Sequence, residues 1–179
     1  MKRLLILALI FACTTTLHAQ KLYSTKSGKV SFESKAPLED IEAVNSEVES
    51  KLLSSNGQLV FALLIKGFQF ENQLMEEHFN EDYLESSKFP KADFKGAITN
   101  IKEINFAKDG SYPAKVKGKL TIHGVTKDVT SDGTIIVKSG KATANSKFDI
   151  KLKDYKIGGS MIGKKIAETI VISVSCKYE

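Results

Sequence analysis

Apolar and polar residues alternate along most of this chain, the period-2 signature of strands with one dry and one wet face. Residues 115–122 set Val116, Gly118, Leu120 and Ile122 against Lys115, Lys117, Lys119 and Thr121. Residues 145–153 repeat the pattern, with Ser146, Phe148, Ile150 and Leu152 opposite Asn145, Lys147, Asp149, Lys151 and Lys153. Leu59, Phe61, Leu63 and Ile65 share one side of a further run, and Ile170, Ile172, Val174, Cys176 and Tyr178 share one side of the last. Residues 29–35 add Val30 and Phe32 inward, with Lys29, Glu33 and Lys35 outward. Turn residues punctuate these runs: Ser54-Ser55-Asn56-Gly57 predicts a hairpin, Lys108-Asp109-Gly110 predicts a second joint, and Ser131-Asp132-Gly133 and Lys138-Ser139-Gly140 predict further turns or bulges. The spacing predicts one all-β, antiparallel domain of about eight strands, a sandwich or a barrel.

Residues 68–90 lose the alternation. Leu74, Met75, His78 and Phe79 fall on one face of a short helix, and Asp82 to Ser86 suits another turn, so a short helical insert is expected near residues 71–86. Phe68, Phe70, Leu74, Met75, Phe79, Tyr83 and Phe89 make this stretch too apolar to lie free in water. It is expected to cap a barrel end or fold over an apolar mouth. The inward rows also contain Ser34, Ser50, Gly96, Gly118 and Ser146, in phase with Phe32, Leu52, Phe94, Val116 and Phe148. An eight-stranded barrel is just wide enough to be filled by its side chains or to hold one small ligand. Small inward residues suit a cavity, but they also pack the taper of a filled barrel; the aromatic insert favours a cavity with a lid.

Composition changes the picture at the N-terminus. The 179 residues are 42% hydrophobic and 26% charged with mixed signs, which excludes a disordered or fibrous chain. Lys2 and Arg3 precede the apolar run from Leu4 to Ala12, and a polar stretch ends in Leu17-His18-Ala19. This is the pattern of a secretory signal peptide spanning residues 1–19, its run well short of the roughly 20 residues that span a bilayer. Cleavage near Ala19 would leave residues 20–179 as one periplasmic or secreted barrel domain. A second reading makes Cys13 the acylated first residue of a lipoprotein, a signal that the bulky Phe11 fits poorly. Losing residues 1–19 removes the only arginine and lowers the formal charge from +5 to +3. The lysines that remain lack the planar fork suited to phosphate and guanine, so no nucleic-acid partner is expected. Cys176 is then the only cysteine, and no intramolecular disulfide is available.

Candidate chemistry is thin. His78 and His123 lack the one-turn spacing of a helical zinc site, and His123, before Gly124, reads as a turn residue bonded to nearby backbone. Cys176 falls in the dry phase of the last strand and reads as an inert thiol. Gly158-Gly159-Ser160-Met161-Ile162-Gly163-Lys164-Lys165 misses the phosphate-loop pattern and reads as a mobile loop. The chain is read as a non-enzyme without metal or cofactor.

Three segments nevertheless carry a resemblance: residues 76–96, which include Glu76-Glu77-His78-Phe79-Asn80-Glu81-Asp82-Tyr83 and Ser87-Lys88-Phe89-Pro90; Gly118-Lys119-Leu120-Thr121-Ile122-His123-Gly124-Val125-Thr126-Lys127; and Asp154-Tyr155 with the closing strand from Ile166 to Val174. In this order and spacing they resemble the YceI-like domain over essentially the whole chain after the leader. The resemblance implies a lipocalin-like antiparallel barrel that binds a long isoprenoid chain, such as a polyprenyl lipid or quinone tail, in an elongated apolar cavity; a carrier of this kind is expected to touch a membrane only for ligand exchange. It brings no catalytic residues. Phe32, Phe61, Leu63, Leu74, Met75, Phe79, Phe94, Ile122, Phe148 and Ile150 are the expected ligand-lining side chains. The alternatives are a filled barrel that acts as an interaction or stress-response module, and a small hydrolase or metalloenzyme using His78 or His123.

Overall fold

The computed structural model describes residues 21–179; the leader assigned to residues 1–19, with Cys13, lies outside them. Among the described residues the strands are β1 (Leu22–Lys35), β2 (Asp40–Leu53), β3 (Gln58–Leu64), β4 (Gln69–Phe70), β5 (Lys91–Ile98), β6 (Gly110–Ile122), β7 (Val125–Lys138), β8 (Lys141–Lys151) and β9 (Thr169–Lys177). The order β1-β9-β8-β7-β6-β5-β3-β2 closes on itself through β1–β2 pairing, and β4 adds a short rung to β2. Neighbouring strands in this order all run antiparallel. The result is a closed eight-stranded barrel whose inward rows are those that the alternation selects.

The turns follow from left-handed residues. His123 and Gly124 have φ 51° and 70°, and Ser139 and Gly140 have φ 51° and 75°, which closes β6–β7 and β7–β8 as two-residue hairpins. Gly57, at φ 75°, serves the β2–β3 turn. Two expected turns lie elsewhere. Lys108-Asp109-Gly110 is the end of a longer connection, residues 99–109, whose Ile101, Ile104 and Phe106 pack into the core. Ser131-Asp132-Gly133 lies inside β7, because its hydrogen bonding to β6 continues unbroken through it.

One end of the barrel is filled. Tyr23, Leu52, Leu59, Ile98, Ile135, Val137 and Tyr178 are buried there, and the 99–109 connection plugs it through the Tyr23–Phe106 ring contact at 5.2 Å. Three of the small inward residues serve this packing. Gly96 and Gly118 face each other across β5–β6, and a Cβ on either would come within 2.6 Å of the Phe94 ring. Ser50 shares a buried 2.9 Å hydrogen bond with the Tyr178 hydroxyl. Ser34 and Ser146 instead border open space in the other half.

Candidate ligand-binding cavity

The open half encloses a cavity of about 640 Å³ with a predominantly aliphatic and aromatic wall. It reaches Leu59, Ile98 and Ile135 of the packed end, and Phe61 and Phe94, which meet edge-to-face at 6.1 Å, also line it. All ten side chains expected at the ligand border this space, from β1 (Phe32), β3 (Phe61, Leu63), the insert (Leu74, Met75, Phe79), β5 (Phe94), β6 (Ile122) and β8 (Phe148, Ile150). They reach it differently: Phe94 and Ile150 are buried, whereas Leu74 stands 58% exposed at the rim.

The insert forms one side of the mouth. Asn72 caps helix α1 (Gln73–His78) by accepting from the Leu74 and Met75 amides, and a π-helical turn, Phe79–Tyr83, continues it. The chain is thus one short helix with a widened last turn rather than two separate turns. Phe79 is its anchor. It lies 5.5 Å from Phe32 in a stacked geometry, 5.6 Å from Phe68 and 5.0 Å from Phe70. Four phenyl rings from β1, the insert and β4 therefore tie the lid to the wall, each contact adding about 0.5–1.5 kcal/mol beyond the area that it buries.

The opposite side of the mouth is the Gly-rich segment, which is wall rather than a free loop. Ser160, Met161, Lys165 and Ile166 border the cavity, and a tight turn holds them, with the Lys165 and Ile166 amides both donating to the Met161 carbonyl. Gly159 fits against the Tyr83 ring, where a Cβ would come within 2.6 Å. Leu38 donates its amide to Lys164 O, and Lys165 Nζ lies 3.7 Å from Glu39, so this segment is fastened to the β1–β2 turn. Sequence reading missed it because glycine content signals turns and says nothing of what the intervening Met161 and Ile166 touch.

The histidines are occupied structurally. His78 Nδ1 lies 2.7 Å from Asp82 Oδ2, and this half-exposed pair borders the cavity on the insert's side of the mouth. His123 bonds backbone, as expected, but from a segment distant in sequence and not from its own turn: Nδ1 meets the Tyr155 carbonyl at 3.1 Å, and Nε2 meets Glu85 Oε2 at 2.8 Å. Both partners are acceptors, so each ring nitrogen is placed to donate. Phe89 packs edge-on to the ring at 4.7 Å and against Gly124. The segments that carried the family resemblance thus meet here, behind the cavity wall, and fasten the insert to the β6–β7 tip. The His123 hydrogen bond holds the Glu85 carboxyl below its usual range, with Lys88 assisting. Among the described residues no group of three metal-ligating side chains assembles.

A closed antiparallel barrel with an apolar chamber under a helical lid defines a lipocalin-like binding barrel. The YceI-like domain model matches residues 16–178, and the chain belongs to that family. Solved structures share the fold. A domain from Saccharophagus degradans, described as a polyisoprenoid binding domain implicated in plant cell wall breakdown, superposes with a TM-score of 0.76 at 12% identity, covering 88% of this chain and 97% of that one. BcnA of Burkholderia cenocepacia gives 0.68 at 20% identity, with 83% and 94% covered. A Campylobacter jejuni YceI protein gives 0.57 at 23% identity, with 82% and 85% covered. A UPF0312 protein of Pseudomonas fluorescens is 40% identical over 57 residues, a match that spans 32% of this chain and 28% of that protein.

Proposed function

We propose that this protein is an exported carrier that holds one isoprenoid or similar long apolar lipid, of polyprenyl or quinone type, inside the barrel. The observation that carries the reading is the apolar chamber of about 640 Å³ beneath a lid anchored by phenyl rings. Each buried CH₂ contributes about 0.8 kcal/mol, so a hydrocarbon chain gains affinity along its whole length without a charged contact. The polyisoprenoid binding described for the Saccharophagus domain supports this ligand class. A filled-barrel module needs an interior without such space, and only the plugged end of this barrel meets that requirement. Mass spectrometry of organic extracts from protein purified from its native host is expected to find a lipid of this class in stoichiometric amount. Repeated absence of any isoprenoid or acyl lipid, with no uptake on titration, would sink the proposal.

Export is part of the same reading and rests on the leader pattern at residues 1–19. N-terminal sequencing of the protein from its native envelope fraction is expected to begin at Gln20. A mature chain that starts at an acylated Cys13 would replace the soluble carrier with a tethered one.

A further inference from the structure

β7 and β8 separate along the chamber and meet again near its mouth. Their ladder runs from Lys138↔Lys141 to Gly133↔Ser146 and stops, although β7 reaches back to Val125 and β8 runs on to Lys151. Beyond the gap the two are rejoined: His123 Nδ1 meets the Tyr155 carbonyl at 3.1 Å, and Val125 packs into the cluster that holds Leu152 and Tyr155. A slit pinned at both ends is left between residues 124–132 and 147–154. Its edges are open backbone. Antiparallel bonding alternates, and the two-residue turns at His123-Gly124 and Ser139-Gly140 fix its phase. Thr126, Asp128 and Thr130 therefore aim N–H and C=O at β8, and Lys147, Asp149 and Lys151 aim theirs at β7. All six residues are exposed, and among the described residues no backbone hydrogen bond takes up these groups.

The two edges fit each other. If the register of the ladder continued across the slit, Asp132 would lie opposite Lys147 and Asp128 opposite Lys151 on the outer face, with Thr130 opposite Asp149 between them. On the inner face Val129 would meet Ile150 and Ser131 would meet Phe148. Those four inner residues border the chamber, so the width of the slit sets the width of the chamber. Local bonds hold the strands apart. The Ser131 and Ser146 hydroxyls donate to the Asp132 carbonyl at 3.1 and 2.9 Å and occupy the acceptor that the Lys147 N–H needs for the next rung. Asp128 pairs with Lys119 at 3.1 Å and Lys147 with Glu33 at 3.8 Å, contacts on the wet face that contribute little and exchange readily. We propose, on the carrier reading, that the slit is an expansion joint: the rungs 132/147, 130/149 and 128/151 form in the empty barrel and part as a lipid chain fills it. Backbone bonds and the Val129–Ile150 contact favour the narrow chamber, and burial of the lipid favours the wide one.

Hydrogen exchange on the full mature protein reads the joint without mutation. The amides of Asp128, Thr130, Lys147 and Asp149 are expected to exchange at least about tenfold more slowly in delipidated protein than in protein saturated with geranylgeraniol. Equal exchange in the two samples would overturn the joint. Thr130→Cys combined with Asp149→Cys traps it, because these outer positions come within disulfide reach only when their rung forms. Mild oxidation of the delipidated variant is expected to link the pair within one molecule. The linked form is expected to bind geranylgeraniol about tenfold more weakly than the reduced form, the worth of roughly two methylenes left unburied, and reduction is expected to restore binding. A pair that does not link, or a link that leaves affinity unchanged, would show that the strands stay apart or that their spacing does not set the chamber. A link between two molecules would mean that the open edge takes a second copy, which also overturns the joint. In each of these cases wild-type protein still binds geranylgeraniol and the carrier reading stands. If neither the wild type nor the reduced variant binds it, the carrier reading fails and the coupling to lipid fails with it.

Discussion

Cys176 and Glu85 show how opposite surroundings move two titrating side chains in opposite directions. Cys176 is fully buried against Gly28, and burial pushes its thiol up to about 11. A thiol whose folded value is raised stabilises the fold below its ordinary value, here 9.0, and loses that contribution as pH climbs toward 11. The same burial raises the Tyr178 hydroxyl, which strengthens the alkaline effect. Iodoacetamide at about pH 8 is therefore expected to leave the native thiol unlabelled and to react with it on urea unfolding. Rapid native labelling would contradict the burial. Glu85 has the reverse sign: its lowered value adds stability above the usual carboxylate range, and this is lost as pH falls through the folded value. Glu85→Gln should lower the urea midpoint at neutral pH, and its difference from wild type should shrink below about pH 4.5. A difference independent of pH would mean that the His123 bond contributes no charge interaction.

At the scale of elements, the parts set by local alternation were legible and the parts set by distant contacts were not. Period 2 identified the inward faces of β6, β8 and β9, because one dry face is enough to dictate it. It did not reveal that Ser131-Asp132-Gly133 continues a strand, since its turn-forming composition is overruled by pairing with β6. Nor could it separate small residues that leave room from small residues that admit a neighbour. Gly96 and Gly118 belong to the second kind, and their closeness has a measurable consequence. A Cβ at Gly118 would come within 2.6 Å of Gly96 Cα and the Lys95 carbonyl, which are backbone atoms that cannot swing away. Gly118→Ala is expected to destabilise the barrel by about 1–3 kcal/mol, read as a lowered denaturant midpoint with an unchanged slope. A neutral result would show that β5 and β6 can part at this rung. The ten wall residues were legible for the same reason as the strands: inward phase in β1, β3, β5, β6 and β8, and one helical face in the insert.

For the whole molecule the uneven filling of the barrel matters most. One end is plugged by residues 99–109, so a lipid carried as proposed would enter at the opposite end, between the insert and residues 160–166. Beside charged Glu39, Asp82 and Lys165, which border the cavity, the segments around that entrance hold large apolar side chains in water: Leu38 is 71%, Leu74 58% and Met161 43% exposed. These three come from the β1–β2 turn, the insert and the Gly-rich segment, so their coincidence is not the property of one strand or helix. Apolar side chains around an apolar opening lower the cost of transfer from a bilayer, because the lipid can leave the membrane without crossing water. On the carrier proposal the rim would set the rate of uptake and the chamber wall the affinity. Replacing Leu38, Leu74 and Met161 together with glutamate is expected to slow uptake of a lipid from vesicles by about tenfold or more, while the dissociation constant for a detergent-dispersed lipid changes by less than about threefold. Stopped-flow transfer from labelled vesicles measures the first and equilibrium titration the second. If both fall in parallel, the rim belongs to the binding site itself; if neither changes, the lipid enters elsewhere.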